Sequence, residues 1–328
     1  MNRRELIKAG LCAIPISAAA RNTVIHAQVA AWPTKTVHVI VPYAAGSATD
    51  LIPRTVFEAV QAQTGQTTVI DNRTGGGTTV GANAVAKAEP DGHTILSHSN
   101  ALVTVPAIQP NVPYDPVRDF SGITPLGSVP LVLVISPEKN ITTVQQLVAA
   151  AKANPGKINY AAAGIGTPPH LTAERFRLSA GFAGQLVPFK GAPEALTEVL
   201  AGRVDFYFCP LPVALPFIND GKLVPLAVSS SRRASALPTV TTTLEAGFPN
   251  SDFDFWVGAL VPRQTPRDIV AAIHAHTVQA VESPSVKERF AKLGVEAMIT
   301  SPEDFDARIA REAVIAHDLA RAAQISAQ

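Results

Sequence analysis

The feature that most constrains the fold is a strand, a glycine-containing loop and a helix in succession, a pattern found in both halves of the chain. In the first half, the apolar, β-branched residues 36–43 run into the loop AAGS (44–47), and residues 51–63 are helical in character. In the second half, the strand-like residues 157–163 run into the loop GIGT (164–167) before another helical segment. Strands that alternate with helices indicate parallel βαβ units, so the sequence predicts an α/β fold.

Hydrophobic periodicity predicts further elements along the chain. Strands are expected at residues 66–71, 93–97, 131–136, 185–189, 204–208 and 256–261, and helices at residues 80–88, 142–153, 168–180, 193–201, 266–282 and 302–324. Ser301 and Asp304 have the spacing of a capping box, and so do Ser47 and Asp50. Pro53 fits a helix only in its first turn, which a start at Asp50 would allow, so the start of this helix stays open.

Charge and motif content argue against several classes of function. The 328 residues include 27 Lys and Arg and 26 Asp and Glu, a net charge of +1, whereas a nucleic-acid binder needs a basic face. Cys12 and Cys209 are too few for a disulfide or metal framework, and the eight histidines are scattered. The signatures GxSxG, HExxH, CxxC, the P-loop and GxGxxG do not occur. We therefore expect no metal, no cofactor and no catalysis.

The first 27 residues have the features of an export signal. Basic residues at positions 3, 4 and 8 precede a short apolar run at residues 9–20, which is too short to span a bilayer. Small residues at Ala27, Ala30 and Ala31 offer cleavage points, of which we favour Ala27. Residues 2–8 (NRRELIK) also resemble a twin-arginine signal. We therefore expect a periplasmic protein without stable membrane insertion.

Three glycine-containing loops predict a site for an anion. They lie at residues 44–50, 72–81 and 164–170, each between the carboxyl end of a strand and the start of a helix. Such loops gather at one edge of a parallel sheet, where the unpaired amides and positive dipole of a helix start can hold a carboxylate or phosphate. Side-chain donors are offered by Ser47, Thr49, Ser97, Ser99, Asn100 and Thr167. Each loop taken alone could also serve only turn and cap geometry.

Eight stretches carry a resemblance to a known family. They are PYAAGSATDLIPR (42–54), VIDNRTGGGTTVGANAVAKAEPDGHTIL (69–96), YDPVRDF (114–120), PGKINYAAAGIGTPPHLTAE (155–174), VPFKGAPEAL (187–196), LAGRVDFYF (200–208), GKLVPLAVSSSRR (221–233) and WVGALVP (256–262). In this order they resemble the Bug or TctC family, the periplasmic solute-binding proteins of tripartite tricarboxylate transporters. The resemblance implies a type II periplasmic-binding-protein fold, with two lobes around a ligand cleft. With crossings near Val129 and Phe253, lobe 1 would comprise residues 28–129 and 253–328, and lobe 2 residues 130–252.

The resemblance also implies the positions that bind a small carboxylate. Matched position by position, they are Tyr43, Gly46, Ser47, Ala48, Thr49 and Asp50 in the first loop, Ser97, Ser99 and Asn100 at a strand end, Gly164, Gly166, Thr167 and His170 in the second-lobe loop, and the acid Asp205. Ser47 departs from the family, which usually has a second glycine there. Lys190 is more typical of a solvated turn than of a ligand contact.

The sequence therefore predicts a monomeric binding protein that captures a small carboxylate, closes by a hinge motion and delivers it to membrane transporter subunits. Two other functions remain. A sensor that presents its loaded form to a membrane receptor kinase would use the same cleft. An exported hydrolase or lyase would convert the bound acid.

Overall fold

A computed structural model describes residues 32–109 and 111–322 as two lobes, each built on its own β-sheet. The predicted export signal, its cleavage at Ala27 and the end of the predicted helix 302–324 lie outside the described residues. Within them, no helix combines the length and the apolar character that a membrane span requires.

The helices and strands follow one another in chain order. They are β1 (Val37–Val41), α1 (Ala48–Thr64), β2 (Thr68–Asn72), α2 (Thr79–Ala86), β3 (Thr94–Ser99), α3 (Ala101–Ile108), β4 (Phe120–Ser128), β5 (Leu131–Ile135), α4 (Val144–Ala153), β6 (Ile158–Ala162), α5 (Pro168–Ala180), β7 (Gly184–Pro188), α6 (Ala192–Leu200), β8 (Phe206–Pro210), α7 (Leu211–Asn219), β9 (Val224–Val228), β10 (Trp256–Pro262), α8 (Arg267–Glu282), α9 (Pro284–Leu293), β11 (Glu296–Ala297) and α10 (Pro302–Ala322). Short 3₁₀ helices lie at Gly76–Thr78 and Pro137–Lys139.

The two sheets confirm the predicted α/β class and two-lobed fold. The first has the strand order β11-β4-β10-β3-β1-β2, with β1 parallel to β2 and β3. The second has the order β7-β6-β8-β5-β9, with β6 parallel to β7 and β8. The loops after β1 and β6 therefore emerge from the carboxyl edges of parallel strands, as the glycine-containing pattern predicts.

Two adjacent crossings connect the sheets. The chain leaves the first sheet after Ser128 at the end of β4, and it returns to that sheet at Trp256. The crossings bond to each other, since the amide of Val129 donates to the carbonyl of Phe255 at 2.7 Å. Paired crossings of this kind suit a hinge. The lobe boundaries at residues 129/130 and 252/253 stay a prediction.

Several element boundaries differ from the expected ones, and the structure defines the helix start that the sequence left open. Helix α1 begins at Ala48, so Pro53 lies inside the helix rather than in its first turn. The strand expected at residues 204–208 is β8, which begins at Phe206. Sequence analysis also missed α3 and α7, because these apolar segments have no polar face and each contains an internal proline. By contrast, the amide of Asp304 donates to the Ser301 hydroxyl at 3.1 Å, as a cap should.

Candidate functional site

The loop after β1 brings two unpaired main-chain amides to the start of α1. Ser47 is the N-cap residue, and the amides of Ala48 and Thr49 donate to no acceptor within the part of the chain described. The Ser47 hydroxyl makes no capping hydrogen bond, and its Oγ is buried without a partner. A helix start also carries the positive end of the helix dipole. The loop thus offers donors and positive partial charge without a cationic side chain.

Asp50 braces this loop and does not form the predicted capping box. Its Oδ2 accepts from the amide of Gly46 at 2.8 Å, and its Oδ1 accepts from Nδ2 of Asn72 at 2.9 Å. Nε of Arg54 donates to both carboxylate oxygens at 2.9 Å. Burial alone would raise the pKa of Asp50, but these hydrogen bonds and the Arg54 charge hold it below its ordinary value. The Asp50 amide donates to the Ser47 carbonyl at 3.0 Å and not to the hydroxyl, so the predicted box is wrong.

The loop after β6 offers fewer donors, because α5 begins with two prolines. Thr167 occupies the N-cap position as predicted, but its hydroxyl donates to the carbonyl of Gly164 at 2.7 Å and makes no capping bond. Pro168 and Pro169 follow, and proline has no N–H. His170 is therefore the first residue of α5 with an amide hydrogen.

His170 supports this loop from the first turn of α5. Its Nδ1 accepts from the amide of Gly166 at 3.0 Å, and the side chain is buried. Glu174, one turn later, accepts from the Tyr160 hydroxyl and from Nη2 of Arg177, the latter at 2.6 Å. Burial lowers the pKa of His170 in spite of the nearby Glu174 carboxylate. The ring is therefore neutral at neutral pH and can accept the Gly166 hydrogen bond.

Two cavities lie between the lobes where these loops meet. The smaller cavity measures about 20 Å³. It is lined by Tyr43, Ser47, Ala48, Thr49, Ala163, Thr167, Pro168, Pro169, Ala192, Pro210 and Phe255. The larger cavity, of about 460 Å³, shares Tyr43 and Ala163 with it and extends along the GGG loop (75–77), Gln109, Phe189 and Lys190. The residues that line the smaller cavity are all uncharged.

A third cavity, of about 480 Å³, is confined to the first lobe. Two of its lining residues, Arg263 and Asp306, form an ion pair at 2.8 Å. None of the three glycine-containing loops contributes to its wall. Two further cavities between the lobes, of about 360 Å³ beside the crossings and about 460 Å³ beside α9, are not lined by these loops either. The two cavities that the loops line are therefore the candidate site.

The predicted strand-end group lies behind this site rather than in its wall. The Ser99 hydroxyl hydrogen-bonds to the Tyr43 hydroxyl at 2.7 Å, and so it holds a residue that lines both cavities. Asn100 is engaged by the protein, since its Oδ1 accepts from the amide of Trp256 at 3.0 Å and its Nδ2 donates to a carboxylate of α10 at 2.9 Å. Ser97 is buried, and its Oγ has no partner. Ser97, Ser99 and Asn100 line neither of the two cavities.

The placement of Asp205 at the cleft needs correction. Asp205 precedes the first residue of β8, whereas Pro210, the last residue of β8, lines the smaller cavity. Five residues of strand separate the two by about 16 Å. The Asp205 carboxylate accepts from Nζ of Lys139 at 2.7 Å and from the amide of Asn159 at 2.8 Å. It belongs to the amino edge of the second sheet, where it is held by two partners.

The sequence and the structure agree on the loops more than on single residues. Tyr43, Ser47, Ala48, Thr49, Gly164 and Thr167 line the two cavities, and Gly46, Gly166 and His170 lie in the same loops. Asp50, Ser97, Ser99, Asn100 and Asp205 do not line them. Analysis of the sequence missed Ala192, Pro210 and Phe255, because small and apolar residues carry no chemical signature. The GGG loop was the available signal for the larger cavity, and Lys190, expected in a solvated turn, is exposed and lines this cavity.

Known proteins resemble this chain in sequence and in structure over most of its length. BugT of Bordetella pertussis is 33% identical over 283 residues, which cover 86% of this chain and 87% of BugT. A solved structure of an R. palustris protein with adipate is 29% identical, with a TM-score of 0.86, and covers 90% of this chain and 99% of that chain. MatC of Rhodopseudomonas palustris, solved with bound malate, is 28% identical, with a TM-score of 0.83 over 88% of this chain and 99% of that chain.

The family assignment rests on most of the chain. Residues 52–324 match the family model described as tripartite tricarboxylate transporter family receptor. This range includes the second-lobe loop and both crossings between the sheets. The resemblance found in the sequence is thereby confirmed, and the chain belongs to the receptor family of tripartite tricarboxylate transporters.

Proposed function

We propose that this chain binds a small carboxylate between its lobes and delivers it to the membrane subunits of a transporter. The observation that carries the proposal is the start of α1, where the free amides of Ala48 and Thr49 meet a buried, unpartnered Ser47 hydroxyl at an uncharged cavity. A carboxylate supplies acceptors for these donors, and its charge suits a helix start. The adipate and malate bound by the two R. palustris relatives belong to the same chemical class.

The proposed binding residues lie in the two loops that face each other. In the first lobe they are Tyr43, Gly46, Ser47, Ala48 and Thr49, and in the second lobe Gly164, Gly166, Thr167 and His170. The first loop supplies the amides at the first two positions of its helix, which the second-lobe loop lacks. The Thr167 hydroxyl already donates to Gly164, and the two prolines after it have no N–H. The second lobe therefore acts chiefly by enclosing the acid.

Entry of the acid requires the lobes to separate. A cavity of about 20 Å³ is comparable to the room that one water molecule needs, and a carboxylate is larger. The paired crossings at Val129 and Phe255 offer the place to bend. The lobes open at this hinge to admit the acid and close on it afterwards.

The remaining parts of the proposal concern the cellular setting. The chain is exported to the periplasm after cleavage of residues 1–27, acts as a monomer and does not convert its ligand. Its family of periplasmic receptors supports this setting. Intact-mass measurement of the periplasmic protein tests the cleavage.

A thermal-shift screen tests the function. Wild-type protein is melted with mono- and dicarboxylates, keto acids, aromatic acids and acidic amino acids, and the recovered acids are analysed by NMR. A binder at a hundredfold excess over its Kd should stabilise the protein by about 2.7 kcal/mol and be recovered unchanged. Thr49→Val should weaken its binding by roughly ten- to a hundredfold, which corresponds to one hydrogen bond to a charged group.

The control is Thr64→Val, which removes a hydroxyl at the far end of the same helix, where it donates to the Val60 carbonyl. The affinity of Thr64→Val for the acid should equal that of the wild type. Consumption of one of the acids would replace the binding function by an enzymatic one. Failure of every acid to raise the melting temperature would refute the proposal.

A further inference from the structure

One side-chain hydrogen bond joins α3 of the first lobe to the ligand loop of the second. The Thr104 hydroxyl donates to the carbonyl of Gly166, which directly precedes the N-cap of α5. Thr104 is only 6% exposed, so water has little access to this bond. A hydrogen bond between the two lobes can form only while the lobes lie against each other.

Side chains of α3 pack closely against Gly166 around this bond. A methyl group on Gly166 would lie 3.2 Å from Cγ2 of Val105 and 3.4 Å from Cδ1 of Ile108. Ile108 also packs with Leu171 of α5 in a small apolar cluster. The last turns of α3 and the loop after β6 therefore form one contact surface, with the Thr104–Gly166 bond inside it.

Gly166 is held by hydrogen bonds through both of its main-chain polar groups. Its carbonyl accepts from Thr104, and its amide donates to His170. The next residue, Thr167, lines the smaller cavity, whereas Thr104 lines neither cavity of the candidate site. Thr104 therefore forms no part of the cavity walls itself, and its hydroxyl acts on the second-lobe loop through the Gly166 carbonyl.

We infer that Thr104 is a positioning residue that holds the second-lobe ligand loop against the first lobe in the closed form. This inference rests on the proposed function, because it concerns the closure of the same site. The bond is exchanged for bonds to water when the lobes separate, so its net contribution to the closed form is that of one neutral hydrogen bond. Thr104→Val also leaves the buried Gly166 carbonyl without a donor in the closed form, so it should raise the dissociation rate of a bound acid about five- to a hundredfold and leave the association rate nearly unchanged.

The test uses three variants of the full chain. Thr104→Val removes the donor and keeps the shape, and Thr104→Ser restores the donor. Thr55→Val is the matched control, since Thr55 is also a buried helical threonine but donates within its own helix, to the Leu51 carbonyl at 2.9 Å. Malate and adipate are the probes, and their association and dissociation rates are measured by stopped flow.

A second measurement reports the lobe separation directly. Spin labels on Lys87→Cys, directly after α2, and Leu178→Cys in α5 occupy exposed positions in different lobes. Cys209 is buried, and Cys12→Ser removes the other thiol of the chain. Pulsed electron resonance then gives the fraction of closed protein with and without each acid. Thr104→Val should lower this fraction, and Thr104→Ser and Thr55→Val should retain the wild-type value.

The outcomes separate this inference from the proposed function. If neither probe nor any acid of the screen binds the wild type, the proposed function fails, and the distance measurement alone decides the role of Thr104. Equal closed fractions and equal dissociation rates in the wild type and Thr104→Val would overturn the inference. The inference would also be overturned if the two spin labels on the wild type showed only the longer distance of separated lobes, with and without acid. No closed form would then exist for the bond to hold.

Discussion

The carboxylate charges of Asp50 and Asp205 are balanced by partners within the protein. Each accepts hydrogen bonds from a basic side chain and from a main-chain amide, namely from Arg54 and Gly46 for Asp50 and from Lys139 and Asn159 for Asp205. The pairing of Asp50 with Arg54 matters to the proposed function. An unpaired carboxylate one turn from Ser47 would repel an anion at the start of α1. Asp205 lies too far from the cleft for such an effect.

Asp205→Ala should therefore lower stability and leave binding unchanged. The Asn159 amide loses its acceptor and Lys139 loses its counter-charge, so the free energy of unfolding should fall by about 1 to 3 kcal/mol in urea denaturation. Asp220→Ala, which breaks an exposed ion pair with Lys222, should cost less than about 1 kcal/mol. A weaker affinity at unchanged stability would return Asp205 to the ligand site.

The starts of α1 and α5 face the same cavity with different chemistry. α1 begins with residues that retain their amide hydrogens, whereas α5 begins with Pro168 and Pro169. The loop before α5 relies instead on glycine, since Gly166 has a φ of +80° and lies against Val105. The first two residues of α1 thus offer amide donors and the first two of α5 offer none, while glycine in the loop before α5 permits close approach.

Gly166→Ala should weaken the affinity for the acid by more than its loss of folding stability can explain. Alanine in this left-handed conformation costs about 1 to 2 kcal/mol of stability, and its methyl group would also separate the loop from α3. Gly181→Ala, at the end of α5, is the matched control, because Gly181 has a φ of +67° and no atom within 4 Å of the added methyl group. Both variants should unfold at lower urea concentration, but only Gly166→Ala should bind adipate or malate more weakly than the wild type. Equal affinities would show that the contact between the lobes does not limit binding.

At the scale of the whole molecule, burial of one histidine in each lobe makes stability depend on pH. His98 lies in β3 with its Nδ1 accepting from the Ser99 amide at 2.9 Å, while its Nε2 is buried without a partner. Burial lowers the pKa of His98 to about 3. In the unfolded chain the pKa of histidine is about 6.5, so the unfolded state binds more protons below that pH.

The free energy of unfolding should therefore fall as the pH drops from about 6.5 towards about 3. The contribution of His98 is about 1.4 kcal/mol per pH unit well below pH 6.5, and His170, whose pKa burial also lowers, adds in the same direction. Urea denaturation between pH 6 and 4.5 measures the slope. His98→Gln should reduce the slope, and His317→Gln, at an exposed position of α10, should not. An unchanged slope in His98→Gln would mean that His98 is protonated in the folded protein.

Local sequence patterns determined the α/β class, the loops after β1 and β6 and the family. A strand that ends in glycine and a helix that begins after it are decided by neighbouring residues, through backbone freedom and capping. The same local patterns were insufficient for α3 and α7, which are apolar on every side and contain Pro106 and Pro216, because their helical form depends on burial by other elements.

The roles of individual polar side chains were decided only by the tertiary structure. Ser47 and Asp50 have the spacing of a capping box, yet Arg54 and Asn72 draw the carboxylate away from the helix start. Asn100 and Asp205 stand at strand ends in the sequence, but their partners come from residues 156 and 46 positions away. Hydrogen bonds and charge pairs act over about 3 Å in space, whatever the separation along the chain. The sequence therefore determined where the glycine-containing loops lie, and the fold decided which polar side chains are already paired within the protein.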